Sequence, residues 1–244
     1  MNEPLEGRCL GLIGGLGLGA GIYYYRELVK AHAARGWVAN LVVVHAEVDR
    51  VLRFAADGET AAMASYLAGL IRRLAAAGAE VAVIAAITPH MCVAELETVS
   101  PIPLVDIVQE IVRDVHRQGL TRVALFGTRF TIATSLFGRL SNLDVVLLQA
   151  EEIEAIHQAY VEVVNTGAGE QQYQRLRALA HTLCEREGVE AIILAGTDLA
   201  LLFNEANTDF PHIDCTRLHL NAIMDRLLRM PAERHRSLAP TGIE

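Results

Sequence analysis

The feature that most constrains this chain is an internal echo. An apolar run entering a glycine turn occurs twice, as LGLIGGLG (10–17) and VALFGTRFT (123–131). Each copy leads through a second apolar run to a third that ends in a short polar motif, AAITPH (85–90) and LAGTDL (194–199). Thr88 and Thr197 stand 109 positions apart. Solenoid repeats are much shorter, about 20–50 residues, so the echo predicts two similar lobes.

The runs have the look of strands buried on both faces: 9–13, 40–46, 80–86, 121–126, 143–149 and 190–195. Between them, 61–78 and 175–188 carry apolar residues at spacings of three and four and end in Gly, the pattern of amphipathic helices with a C-terminal stop. Strand–helix alternation implies right-handed crossovers and parallel sheets. The expected fold is α/β, with two pseudo-symmetric doubly wound parallel-sheet lobes facing a central cleft. The expected division is an N-terminal lobe over 1–105, a C-terminal lobe over 106–215, a helix over 216–230 crossing back onto the first lobe, and a flexible tail over 231–244. SPIPLVD (100–106) is the expected entry to the hinge, because Pro101 and Pro103 keep the chain extended. The segment TSLFGRL (134–140) reads as contact surface or buried helix.

Composition agrees and excludes several classes. Apolar residues make up 52% of the 244 residues and aromatics only 5%, so the core rests on Ala, Val, Leu and Ile packed as helices on parallel strands. A net charge of −8 leaves no basic stripe for a phosphate backbone, so nucleic-acid binding is not expected. No apolar stretch reaches the roughly 20 residues of a membrane span. The first residues show no basic region followed by an apolar one, so no secretion signal is expected. The four cysteines form no CxxC pair and no His lies at ligand spacing, which points to reduced thiols, a cytoplasmic setting and no metal.

Ligands of parallel sheets sit beyond the carboxyl ends of the strands, where the glycine turns and polar motifs fall. The turn 11–21 offers backbone N–H groups at a helix N-terminus, suited to a small carboxylate through Gly14 and Gly15. The same string satisfies GxGxxA through Gly15, Gly17 and Ala20, and Glu47 follows the second strand, so a nucleotide site is an alternative. Arg50 in HAEVDR (45–50) can fork onto a carboxylate, or pair on the surface with Asp49 or Glu47. Thr88, Thr197, Thr128 and Thr131 can bind a ligand carboxylate or cap helices. His90 titrates near neutrality, and Asp198 and Asp49 are further acid–base candidates.

In order and spacing, these motifs resemble the aspartate/glutamate racemase superfamily of cofactor-independent enzymes, over nearly the whole chain. The resemblance lies in GGLG (14–17), Val48-Asp49-Arg50, GTRFT (127–131) and Asp214-Cys215-Thr216. It implies two lobes with the site between them, a homodimer, and proton transfer by two opposed cysteines. At the matching positions this sequence reads Ala86-Ile87-Thr88-Pro89-His90 and Ala195-Gly196-Thr197-Asp198. Thr, His and an acid are kept, and both thiols are replaced. The family's basic residue after the second-lobe helix is also missing, with Asn165 or Thr166 near its place. Ala86 and Gly196 cannot carry a proton, and threonine hydroxyls are too weakly acidic to substitute unaided. The expectation is therefore an isomerase- or racemase-type enzyme, or a related decarboxylase or lyase, acting on a small carboxylate or amino acid through a carbanion- or enediolate-like intermediate, without the two-cysteine route. The catalytic candidates are His90, Asp198 and Asp49, and the binding candidates are Gly14, Gly15, Arg50, Thr88, Thr128, Thr131 and Thr197. A catalytically inactive metabolite-binding protein is a further alternative.

Overall fold

Strands β2 (Leu10–Gly14) and β5 (Val81–Ile84) are buried along their whole length, which only a sheet covered on both faces provides. They belong to a computed structural model that describes residues 5–6 and 8–229. The first sheet is parallel, in the order β4 (Leu41–His45), β2, β5. Its register sets Leu12 against Val43 on one side and Val83 on the other. A small parallel pair, β1 (Leu5–Glu6) with β3 (Trp37–Val38), stands apart from it.

Helix α1 (Leu18–Ala33) covers one face of this sheet with Tyr24 and Leu28. The other face is covered by α2 (Val48–Asp57), α3 (Thr60–Ala76) and, after a 3-10 turn over Thr88–Cys92, α4 (Val93–Val99). Helix α3 lies so close to β2 that a Cβ on Gly11 would come within 2.9 Å of the Leu74 side chain.

The second sheet is also parallel, β7 (Asp144–Val145), β6 (Arg122–Gly127), β8 (Ala191–Ala195), β9 (His212–Asp214). Around it lie α5 (Ile107–Gln118), the short α6 (Arg129–Ala133), α7 (Ala150–Thr166), α8 (Glu170–Glu187) and a second 3-10 turn, Thr197–Leu201. Helix α9 (Cys215–Arg229) sends Ile223, Met224 and Leu227 into the core beneath α1. The echo is therefore architectural: β2, β4 and β5 correspond to β6, β7 and β8. The α/β fold with two parallel sheets is the one expected.

Three local readings change. The segment read as the hinge entry also extends the first sheet: Ala82 N–H donates to Pro103 O (2.9 Å) and Val105 N–H to Ala82 O (3.2 Å). It thus matches β9, and Asp106 caps α5 as Asp214 caps α9, each accepting the N–H two residues on. The strand expected over 143–149 shrinks to two residues, because β7 is an edge paired on one side only and the chain leaves with Leu147 exposed. The segment 134–140 is not a helix: Ser135, Leu136, Phe137 and Gly138 all have positive φ, while Leu136 and Leu140 are buried. The expected tail over 231–244 lies outside the described residues. No described helix is long and apolar enough to cross a membrane.

Candidate functional site

The carboxyl ends of β5 and β8 meet. Thr197 Oγ donates to Ala85 O across the two sheets (3.2 Å), and Thr216 Oγ donates to Thr197 O (3.2 Å). Thr197 is buried, so its hydroxyl is engaged in the junction. Its neighbour Asp198 reaches further across, where Oδ1 accepts the Ala20 N–H (2.9 Å) in the first turn of α1. A carboxyl from one lobe thereby caps a helix of the other, where the helix dipole favours negative charge. Gly17 makes the approach possible, since a Cβ there would sit 2.4 Å from Asp198 Oδ2.

This contact changes the reading of the glycine turn. Of the N–H groups at the head of α1, expected to face a ligand carboxylate or a pyrophosphate, that of Ala20 already holds an internal carboxylate. A phosphate placed there would meet Asp198 charge against charge, and Glu47, the matching acid, lies exposed with its own N–H donating to Tyr66 OH (2.8 Å). Gly15 keeps its special geometry: φ is +87°, and a Cβ would strike Ala46 O at 2.6 Å and the His45 ring at 2.7 Å. Gly14, at the tip of β2, has open space where a side chain would stand.

Burial moves His90 away from the expected role. Its Nδ1 lies 2.9 Å from Ala86 O, its ring packs edge-on against His219, and desolvation lowers its pKa despite the opposing charge of Asp106. His219 continues the buried chain, with Nε2 2.9 Å from Val105 O and Nδ1 2.9 Å from Tyr24 OH. Desolvation pushes its pKa down to about 3. These histidines join α1, α9 and the strand ends as neutral hydrogen-bonding groups. Thr131 is buried too, and Thr128 caps α6, accepting the Thr131 N–H (3.1 Å) while the two hydroxyls share a bond (2.8 Å).

Asp49 and Arg50 stand exposed in the first turn of α2. Among the described residues neither forms an ion pair, and the Arg50 guanidinium lies over the Tyr66 ring at 4.4 Å. Thr88 is half-buried at the head of its 3-10 turn, and its hydroxyl has no hydrogen-bond partner among the described residues. Of the expected site residues, the structure gathers Thr197 and Asp198 at the junction beside Gly17, pairs Thr128 with Thr131, and sets Asp49 and Arg50 on a separate helix.

One side chain escaped the sequence reading. A Cβ on Gly196 would lie 2.4 Å from Tyr160 Cε2, so the Tyr160 ring fills the space of the side chain absent at 196. Tyr160 keeps some exposure, whereas Thr197 and Asp198 have almost none. Burial and then the Asp198 charge raise its pKa well above the ordinary phenol value, so it holds its proton at neutral pH. Asp198 is itself pushed up by desolvation, and its Oδ2 has no hydrogen-bond partner of ordinary geometry. Cys215 lies beneath Gly196, fully buried, its thiol raised chiefly by desolvation and so unreactive. One signal for Tyr160 was available: it follows His157 at helical i+3 spacing on α7, and His157 Nδ1 faces the Arg129 N–H (3.3 Å) at the GTRFT turn.

Comparison with known proteins agrees with this frame. The sequence model of the Asp/Glu/Hydantoin racemase family matches residues 13–223. A crystal structure of a candidate Asp/Glu racemase from Yersinia pestis superposes with a TM-score of 0.77 at 27% identity, over 91% of this chain and 100% of that one. Picrophilus torridus aspartate racemase gives 0.74 at 18% identity, over 91% and 94% of the two chains. Glutamate racemase from Francisella tularensis, solved with D-glutamate, gives 0.63 at 15% identity, over 92% and 82%.

Proposed function

Given that the chain belongs to the Asp/Glu/Hydantoin racemase family, we propose that it is a cofactor-independent isomerase-type enzyme or a related decarboxylase or lyase. It acts on a small amino acid or carboxylate through a carbanion- or enediolate-like intermediate, as a cytoplasmic homodimer. Two-thiol racemisation is closed to it, because that route needs a proton carrier on each face of Cα and residues 86 and 196 offer none.

The observation that carries the reading is Tyr160 in the space beside Gly196. A phenol that stays protonated at neutral pH is suited to giving a proton to a carbanion, rather than to removing one. Where the substrate releases CO₂ from Cα, the electron pair of the broken C–C bond stays at Cα and takes the phenol proton, the O–H bond breaks, and the phenolate recovers a proton from water. The Thr88 hydroxyl and the backbone of Gly14 and Gly15 hold the ligand carboxylate, and Arg50 orients a second acidic group. Asp198 and Thr197 fix the junction around which these groups are arranged.

The test is NMR in D₂O with both enantiomers of aspartate and glutamate and with short dicarboxylates, alongside thermal shifts. The expected result is deuterium at Cα of substrate or product, lost in Tyr160→Phe while binding is kept. A second reading, a metabolite-binding protein without turnover, is favoured by the structural engagement of Thr197, Asp198 and His90. It predicts thermal shifts and no isotope incorporation. Neither shift nor incorporation would overturn both.

A further inference from the structure

Helix α1 carries two apolar faces. Ala20, Tyr24 and Leu28 are buried under it. Leu18, Ile22, Tyr25 and Val29 form a second stripe and face outward, with Leu18 67%, Ile22 58% and Tyr25 51% exposed. At about 100° per residue these four fall within roughly 60° of one another, so they form a narrow seam. The seam runs beside the outer edge of the first sheet, where Val43 on β4 and Val38 on β3 are half exposed. Strand β4 pairs only with β2 among the described residues, which leaves that edge open. Between seam and edge lies a groove of about 330 Å³ lined by Leu18, Ile22, Tyr25, Val43 and His45, ending at Gly14, Gly15 and Gly21.

We infer that this face is the contact surface between two copies of the chain, α1 meeting α1 across a two-fold axis with the β4 edges alongside. The inference sharpens the homodimer reading above and is independent of the catalytic one. Area supports it. These six side chains leave on the order of 500 Å² of apolar surface in water, near the upper range for a monomer's largest patch. A stable interface buries about 800 Å² per partner, and in homodimers about two-thirds of that is apolar. Charge supports a second copy over an oppositely charged partner. The flanking Glu27 is bonded to both Arg26 and Lys30 of its own helix, which leaves one net positive charge and no large single-sign block to repel its own image. In this arrangement the second copy covers the groove on the outer side of the Gly14–Gly15 turn.

Sedimentation velocity and light scattering test it, on the wild type, Ile22→Glu and Leu147→Glu. Both positions are exposed, so both variants fold, and unchanged circular dichroism checks this. The wild type and Leu147→Glu are expected to be dimers, and Ile22→Glu a monomer or at least tenfold weaker in self-association. Tyr25→Cys is expected to form a reducible covalent dimer on oxidation. A dimeric Ile22→Glu of unchanged affinity overturns this surface and leaves the homodimer standing. A monomeric wild type overturns both.

Discussion

The two polar motifs that close the third strand of each lobe are alike in sequence and opposite in use. In the first, Thr88 keeps an unpartnered hydroxyl at a half-buried strand tip, and the titratable residue of the motif, His90, turns inward. In the second, Thr197 and Asp198 leave their own lobe and fasten onto the other, through Ala85 O and the Ala20 N–H. The difference follows from what faces each motif. At the second, Gly17 and Gly196 have no side chains, which lets Asp198 and the Tyr160 ring close in. One end of the junction is a clasp, and the other keeps an unpartnered hydroxyl, the end at which the proposed ligand binds.

The sharpest way to break this contrast is Gly17→Val. Its Cβ overlaps Asp198 Oδ2, so urea denaturation should show a loss of about 3 kcal/mol or more, or no folded protein. Gly14→Ala, three residues away with open space around it, should cost less than about 1 kcal/mol. Equal losses would remove the distinction between clasp and mouth.

His219→Ala comes next. It deletes two buried hydrogen bonds and leaves a cavity where α9 meets α1, worth about 2–4 kcal/mol by the same measurement. The sign of its pH dependence follows from its lowered pKa. The unfolded imidazole protonates near pH 6.5 and the folded one only near 3, so the wild type loses stability as pH falls through that window. The alanine variant should show a shallower acid limb between those values.

The threonine pair gives a smaller and more discriminating effect. Thr197→Val should cost about 1–2 kcal/mol through the lost bond to Ala85 O, and Thr88→Val under about 0.5 kcal/mol. Thr88→Val should instead weaken the thermal shift produced by carboxylate ligands. Asp198→Asn tests the clasp electrostatically. Because desolvation raises the carboxyl pKa in the folded state, ionisation is disfavoured there, and stability falls as pH rises from the unfolded value near 3.8 through the folded one. The amide keeps an acceptor for Ala20 N–H without the charge. It should melt higher than the wild type at pH 7, with the gap closing below pH 4.

How much of this was legible in the sequence depended on how local each interaction is. Strands β2, β5, β6 and β8 read clearly because both faces are buried and their apolar runs are unbroken. The helix stops at Gly78 and Gly188 read equally well, both glycines having positive φ. The run 143–149 looked as apolar as the others but pairs on one edge only, and nothing in a run of Leu and Val reports how many neighbours it has. At the site, the motif positions were visible and their partners were not. Asp198 meets Ala20 from 178 residues away, and Tyr160 sits beside Gly196 only because α7 packs on β6 and on the 3-10 turn that follows β8. A residue type announces that it can hydrogen-bond; only the packing decides whether a ligand or another strand takes the bond.

The most direct test of the account is the configuration of the deuterated product when a single enantiomer is incubated in D₂O. With Tyr160 as the proposed donor beside Gly196 and no side-chain carrier at Ala86, label enters Cα from one face and the first product formed has one configuration. Label entering both configurations at equal initial rates would mean that both faces carry protons, and would contradict it.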